Sequence, residues 1–174
     1  MNLALLLDVA AGGLLLGGLY ALIAVGLNLQ YGLMRVLNVA HGEFLMLGGY
    51  LTYLLHVHLG MDPLVSLVVS VPVVFVGGVA IHALLYRRLL RQERTREELE
   101  GNSLLISFGL LFILQNGALL IFSADLRGYQ YLDRPLRMLG TLFPTNRVVT
   151  FVVAAIVTAL LMLFLRATPT GAAV

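Results

Sequence analysis

Residues 64–86 read LVSLVVSVPVVFVGGVAIHALLY, and this stretch decides the class of fold. Within its 23 residues, His82 is the only ionisable group before the closing tyrosine. About 20 apolar residues in a helix are enough to cross the hydrocarbon core of a bilayer. We therefore predict a membrane-spanning helix over this stretch.

The composition extends this prediction to the whole chain. Hydrophobic residues make up 60% of the 174 residues and charged residues 11%, whereas about 45–50% and about 25% are usual in soluble domains. A soluble domain of this size buries only about 70% of its surface, so this chain needs lipid as its solvent. Four further apolar runs lie at 9–29, 34–55, 102–124 and 148–165. We predict an all-α, polytopic bundle of transmembrane helices with about five spans.

The composition also excludes several chemistries. Cysteine is absent and all eleven basic residues are arginine, which removes thiol nucleophiles, cysteine metal sites and the phosphate-binding lysine of a P-loop. The net charge of +2 gives no basis for a nucleic-acid partner. We expect no metal, because His41 and Glu43 supply only two ligands and the remaining histidines are not spaced to complete a site. No serine has a recognisable base nearby in sequence, so we expect no enzyme activity.

The most polar part of any apolar run is the segment MRVLNVAHGEF, residues 34–44. A carboxylate at membrane depth costs about 3 kcal/mol on insertion scales, so Glu43 needs a partner or an aqueous cavity. Gly42 could break the helix, and broken helices are tolerated only where they line a cavity or are buried in protein. We predict a discontinuous second span bordering a transport path. Its candidate residues are Asn38, His41, Gly42 and Glu43. The alternative is an interfacial segment in which Glu43 pairs with Arg35 near the cytoplasmic headgroups.

Two amide side chains, Gln115 and Asn116, fall near the centre of the run 102–124. Hydrogen bonds between neighbouring helices are one explanation for amides at this depth. Lining a polar pathway is the other, and we include both residues among the candidates for the path.

Small residues recur every four positions on the first run, at Gly13, Gly17 and Ala21. Such stripes allow the backbones of two membrane helices to approach closely. We therefore predict that these residues form a helix-packing surface rather than a binding site. Tryptophan is absent, which leaves five tyrosines as candidate anchors of the spans at the membrane interfaces: Tyr31, Tyr53, Tyr86, Tyr129 and Tyr131.

Two stretches resemble a known family. Residues 18–32, GLYALIAVGLNLQYG, and residues 35–50, RVLNVAHGEFLMLGGY, are similar to the corresponding part of bacterial branched-chain amino acid ABC permeases of the LivH type. The resemblance implies a multi-pass subunit of the bacterial inner membrane that carries branched-chain amino acids. It also implies a second permease subunit, two cytoplasmic ATPase subunits that hold the ATP, and a periplasmic substrate-binding protein. No cofactor is then expected on this chain itself.

The resemblance leaves other functions open. Urea and short-chain amide permeases carry a closely similar AHGE string, here residues 40–43. Permeases of the family are usually longer, so residues 1–174 are expected to form the N-terminal part of the permease domain, without the coupling loop and the later spans. A truncated subunit that only assembles with its partners is therefore a further alternative. A secondary transporter is disfavoured, because no paired charges occur on separate spans.

Overall fold

The computed structural model describes residues 3–92, 95–125, 127–132, 134–138 and 141–167. In these ranges the helices are α1 (Leu3–Met34), α2 (His41–Leu59), α3 (Pro63–Ile81), α4 (Arg87–Gln92), α5 (Arg96–Phe122) and α6 (Thr145–Ala167). A π turn, His82–Tyr86, joins α3 to α4. The strands are β1 (Pro135–Met138) and β2 (Thr141–Pro144). The predicted polytopic helical architecture is confirmed, with one short hairpin added to it.

Four helical stretches in the described ranges are long and apolar enough to cross a membrane. They are Val9–Met34, Pro63–Arg91, Arg96–Phe122 and Thr145–Ala167. Helix α2 is not among them, because its 19 residues also carry Glu43 and three histidines. At about 1.5 Å per residue it is nevertheless about 28 Å long, close to the thickness of the hydrocarbon core. It occupies the position of the second predicted span.

The predicted break at Gly42 is wrong in its position. Helix α1 continues to Met34, residues 35–40 are not helical, and Gly42 is the second residue of α2. The second apolar run is therefore interrupted near its beginning. Arg35 has a left-handed backbone with φ of 54°, which an arginine rarely adopts and which turns the chain out of α1. The break does not involve a glycine, so the prediction that relied on Gly42 gave the wrong position.

Residues 1–33 and 130–174 form one compact unit. Its strands β1 and β2 pair antiparallel, with Pro135 opposite Pro144 and Met138 opposite Thr141. The backbone amide and the hydroxyl of Thr145 both donate to the carbonyl of Arg134, so the hairpin leads directly into α6.

Helix α1 meets α6 at Gly18 within this same unit. A Cβ built on Gly18 would overlap the Phe151 ring and lie 2.7 Å from its Cε2 atom. Glycine is therefore the residue that lets the Phe151 side chain reach the backbone of α1.

Residues 34–129 form the second compact unit, in which α2 and α3 meet at a tight corner. Gly60 ends α2 in a left-handed conformation, with φ of 64°, and its amide donates to the carbonyl of His56 at 3.0 Å. The Asp62 carboxylate then accepts from the amide of Leu64 at 2.8 Å and begins α3, with Pro63 in the first helical position.

Helix α5 packs in this second unit through one face. The buried members of this face lie at intervals of three, four or eight residues: Ser103, Ser107, Leu110, Ala118 and Phe122. Near the end of α5, the Phe122 ring stacks on Tyr50 of α2 with a centroid separation of 4.0 Å. At its beginning, Thr95 and Glu98 form a reciprocal capping box.

Candidate functional site

The candidate site is built around the non-helical segment 35–40. Its side chains alternate in burial: Val36, Asn38 and Ala40 are buried, whereas Leu37 and Val39 are more exposed. Residues 35–38 have no regular secondary structure, and residues 39–40 form a turn that leads into α2. Buried backbone that forms no helix or strand needs hydrogen-bond partners elsewhere in the protein.

Those partners come from within the segment and from α5. The amide of Leu37 donates to the hydroxyl of Ser103 at 3.1 Å. The amide of Ala40 donates to the side-chain oxygen of Asn38 at 3.1 Å, and the amide of His41 donates to the Asn38 carbonyl at 3.3 Å. The segment is therefore held at both ends by defined hydrogen bonds.

Tyr86 is a further hydrogen-bond partner of the segment 35–40. Its hydroxyl donates to the side-chain oxygen of Asn38 at 3.2 Å. Its ring lies in a buried cluster with Val36 and Leu89 and is only 3% exposed. The predicted role of Tyr86 as an anchor at the membrane interface is therefore wrong. Local sequence contains no signal for this burial, because the contact joins residues 48 positions apart.

The predicted path residues His41, Gly42 and Glu43 form the first turn of α2. His41 and Glu43 are half-buried and Gly42 is exposed. The alternative pairing of Glu43 with Arg35 is not found, and the Glu43 carboxylate has no hydrogen-bond or ion-pair partner in the part of the chain that the structure describes. Asn38 lies beside this turn but is only 7% exposed. Its side chain supports the turn from within the protein.

Gln115 and Asn116 lie on α5, on its exposed side. The Asn116 amide donates to the carbonyl of Phe112 in its own helix at 2.7 Å. No hydrogen bond among the described residues joins either amide to another helix or to the first turn of α2. Their contribution to a transport path stays a prediction.

The predicted packing stripe on α1 is exposed in the part of the chain that the structure describes. Gly13, Gly17 and Ala21 are exposed, and a Cβ on either glycine would meet nothing within 4 Å. Packing through this stripe therefore stays a prediction. The close approach that the chain does contain uses the neighbouring Gly18.

Two residues of the site were missed because their roles depend on tertiary contacts. Tyr86 was considered only as an anchor and Ser103 only as a nucleophile without a base. Ser103 is fully buried and donates to the carbonyl of Glu100 at 2.9 Å while it accepts from Leu37. In the described ranges no three His, Asp or Glu side chains lie close enough together to hold a metal ion.

Four helices in the described ranges that are long and apolar enough to cross a membrane are typical of a multi-pass membrane protein. The profile of the family described as "Branched-chain amino acid transport system / permease component" matches residues 9–174. The chain belongs to this family.

Individual relatives agree with the family. The chain is 34% identical over 116 residues to the high-affinity branched-chain amino acid transport system permease protein BraD of Pseudomonas aeruginosa, a match that covers 62% of this chain and 36% of the relative. It is 38% identical over 69 residues to the corresponding protein LivH of Escherichia coli, covering 40% of this chain and 22% of the relative. These matches span about a third or less of the relatives' lengths. No solved structure matches the chain significantly.

Proposed function

We propose that this chain is a permease subunit of an ABC importer that carries branched-chain amino acids across the bacterial inner membrane. The family match over residues 9–174 is the observation that carries the proposal. The names of the relatives BraD and LivH describe the same substrate class. Residues 1–174 would then supply the N-terminal part of the permease domain.

ATP hydrolysis belongs to other subunits in this proposal. The chain contains no lysine, so it lacks the residue with which a P-loop holds the phosphates of ATP. Two cytoplasmic ATPase subunits would supply the energy, a second permease subunit would complete the path, and a periplasmic binding protein would deliver the amino acid.

The most direct contribution of this chain to the proposed path is the first turn of α2. Glu43 is half-buried near the beginning of a helix of nearly membrane length and has no partner among the described side chains. A carboxylate at membrane depth needs water or a counter-charge. An aqueous path beside His41–Glu43 would supply the water, and the ammonium group of a passing amino acid would supply a transient counter-charge.

The two side-chain amides on α5 are further candidates for the transport path. Gln115 and Asn116 are exposed within a stretch that is long and apolar enough to span the membrane. Contact with lipid would leave the Gln115 amide without hydrogen bonds, which is costly in hydrocarbon. We therefore place both amides at the path or at its border with the second permease subunit.

Purification of the native complex tests the proposal. An affinity tag on this chain should recover two ATPase subunits and a second permease from membranes of its own organism. ATP hydrolysis by that complex should rise when the binding protein is loaded with leucine, and it should stay at the basal level with the empty binding protein or with urea. Recovery without ATPase subunits, or stimulation by urea alone, would contradict the proposal.

A further inference from the structure

We propose that Tyr86 is a positioning residue for the transport site: its hydroxyl fixes the side chain of Asn38 and thereby orients the first turn of α2, which carries His41–Glu43. The consequence for transport rests on the proposed function. The geometric part of the inference does not, and it can be tested separately.

The π turn brings Tyr86 to this position. In a regular α-helix, the residues on the same face as Ile81 would be those four and seven positions later, Leu85 and Arg88. In the structure Tyr86 and Leu89 are buried beside Ile81, whereas Leu85 is 38% exposed and Arg88 is exposed. The π turn 82–86 accommodates the one extra residue that makes this shift. Without it a leucine would face the segment, and leucine has no hydrogen-bond donor.

Asn38 transmits the effect of Tyr86 to α2. Its side-chain oxygen accepts from the Tyr86 hydroxyl at 3.2 Å and from the amide of Ala40 at 3.1 Å. Ala40 is the residue immediately before α2 and has no side chain of its own that could cap the helix. One oxygen with two lone pairs thus connects the end of the π turn to the start of the helix that carries Glu43.

The hydroxyl, rather than the ring, carries this role. A phenylalanine at position 86 would fill the cluster with Val36 and Leu89 equally well, because packing in that cluster uses the ring. Removal of the hydroxyl alone would take from the Asn38 side-chain oxygen its hydrogen bond to Tyr86 and leave the local bond from the Ala40 amide in place. The direction of the first turn of α2 would then be less defined, while the burial of the cluster would be unchanged.

Chemical labelling tests the geometric part. The chain has no cysteine, so a single Val39→Cys substitution introduces one thiol, at a position that is 40% exposed and lies between Asn38 and Ala40. We expect Tyr86→Phe to increase the rate of maleimide labelling of this thiol about fivefold in the native complex, the effect of losing one hydrogen bond. Tyr53→Phe is the matched control, because the Tyr53 hydroxyl has no hydrogen-bond partner among the described residues. It should leave the rate unchanged.

Substitutions of Asn38 separate positioning from general destabilisation. Asn38→Leu removes the side-chain oxygen and with it both bonds, so it should label at least as fast as Tyr86→Phe. The double variant with Tyr86→Phe and Asn38→Leu should be no faster than Asn38→Leu alone, because both changes remove the same bond.

Transport kinetics test the functional part. In proteoliposomes with the full complex, Tyr86→Phe should lower the maximal rate of leucine uptake about fivefold and leave the KM for the loaded binding protein unchanged. Equal labelling of Tyr86→Phe, Tyr53→Phe and the parent would overturn the proposal. Faster labelling without any loss of uptake rate would also overturn it. Failure of the parent complex to take up leucine would instead overturn the proposed function, and the labelling experiment would still decide the geometry.

Discussion

The hydroxyl of Ser103 in α5 accepts a hydrogen bond from the backbone amide of Leu37 at 3.1 Å, across 66 residues of sequence. Ser103 has no exposed surface, and its own hydrogen is donated to the carbonyl of Glu100. Both the donor and the acceptor function of the serine are thus used inside the protein. This pair ties the non-helical segment 35–40 to the helix that carries Gln115 and Asn116.

Ser103→Ala is expected to destabilise the chain. The substitution leaves the Leu37 amide without the Ser103 oxygen, and an unsatisfied buried donor costs about 1–3 kcal/mol. The free energy of unfolding in detergent micelles measures the effect. Ser107→Ala is the matched control: Ser107 is equally buried, but its hydroxyl donates only to the carbonyl of Leu104 in its own helix. Equal losses in the two variants would show that the bond to Leu37 is not important for stability.

Gly18→Ala and Gly17→Ala are expected to have opposite effects. A methyl group at Gly18 forces the Phe151 ring to move, and overpacking of this kind costs about 1–3 kcal/mol. At Gly17 the methyl group meets nothing within 4 Å, and alanine favours the helix by up to about 1 kcal/mol. Thermal unfolding of the purified chain distinguishes them. A second variant, Gly18→Ala with Phe151→Leu, should recover part of the loss, and no recovery would argue against the α1–α6 contact.

Glu43→Gln is expected to reduce leucine uptake about tenfold or more with normal membrane insertion, because the neutral amide cannot provide a counter-charge for the ammonium group of the substrate. The measurement is the initial rate of uptake, corrected for the amount of the complex in the membrane. Glu97→Gln is the control, since Glu97 is an exposed carboxylate in the first turn of α5. Normal uptake by Glu43→Gln would remove the case for a path beside the first turn of α2.

Gln115→Leu distinguishes a polar path from a lipid-facing surface. If the amide faces the path or the second permease, as we propose, the Gln115→Leu substitution should lower the uptake of the amino acid or weaken association with that subunit. Contact with lipid would instead make the leucine variant more stable and equally active, because an unsatisfied amide has been removed from hydrocarbon. Leu120→Ala, at a position that is 88% exposed on the same helix, controls for loss of apolar surface alone.

The helices could be predicted because their signal is local. The run 64–86 is apolar over a length that spans a membrane, and in the structure α3 begins one residue before it, at Pro63. A break associated with Glu43 was also predicted, but in the structure α2 is unbroken and the non-helical residues 35–40 precede it. Each of these conclusions needed only neighbouring residues.

The position of the break and the contacts around it could not be predicted in this way. The left-handed turn occurs at Arg35, and left-handed turns are usually predicted from a glycine. The π turn 82–86 has the sequence HALLY, which is compatible with an ordinary helix. The contacts around the break join residues distant in sequence, since Asn38 bonds to Tyr86 and Ser103 bonds to Leu37. A sequence pattern that is read within a few residues contains no trace of them.

The most direct test of the account is ATP-driven uptake by the native complex reconstituted in proteoliposomes, with the binding protein added outside. Labelled leucine and labelled urea are compared in parallel, and unlabelled isoleucine and valine are added as competitors. The account predicts leucine uptake that requires ATP and is suppressed by isoleucine and valine, with no uptake of urea. Uptake of urea, or no ATP-dependent uptake of leucine, would contradict it.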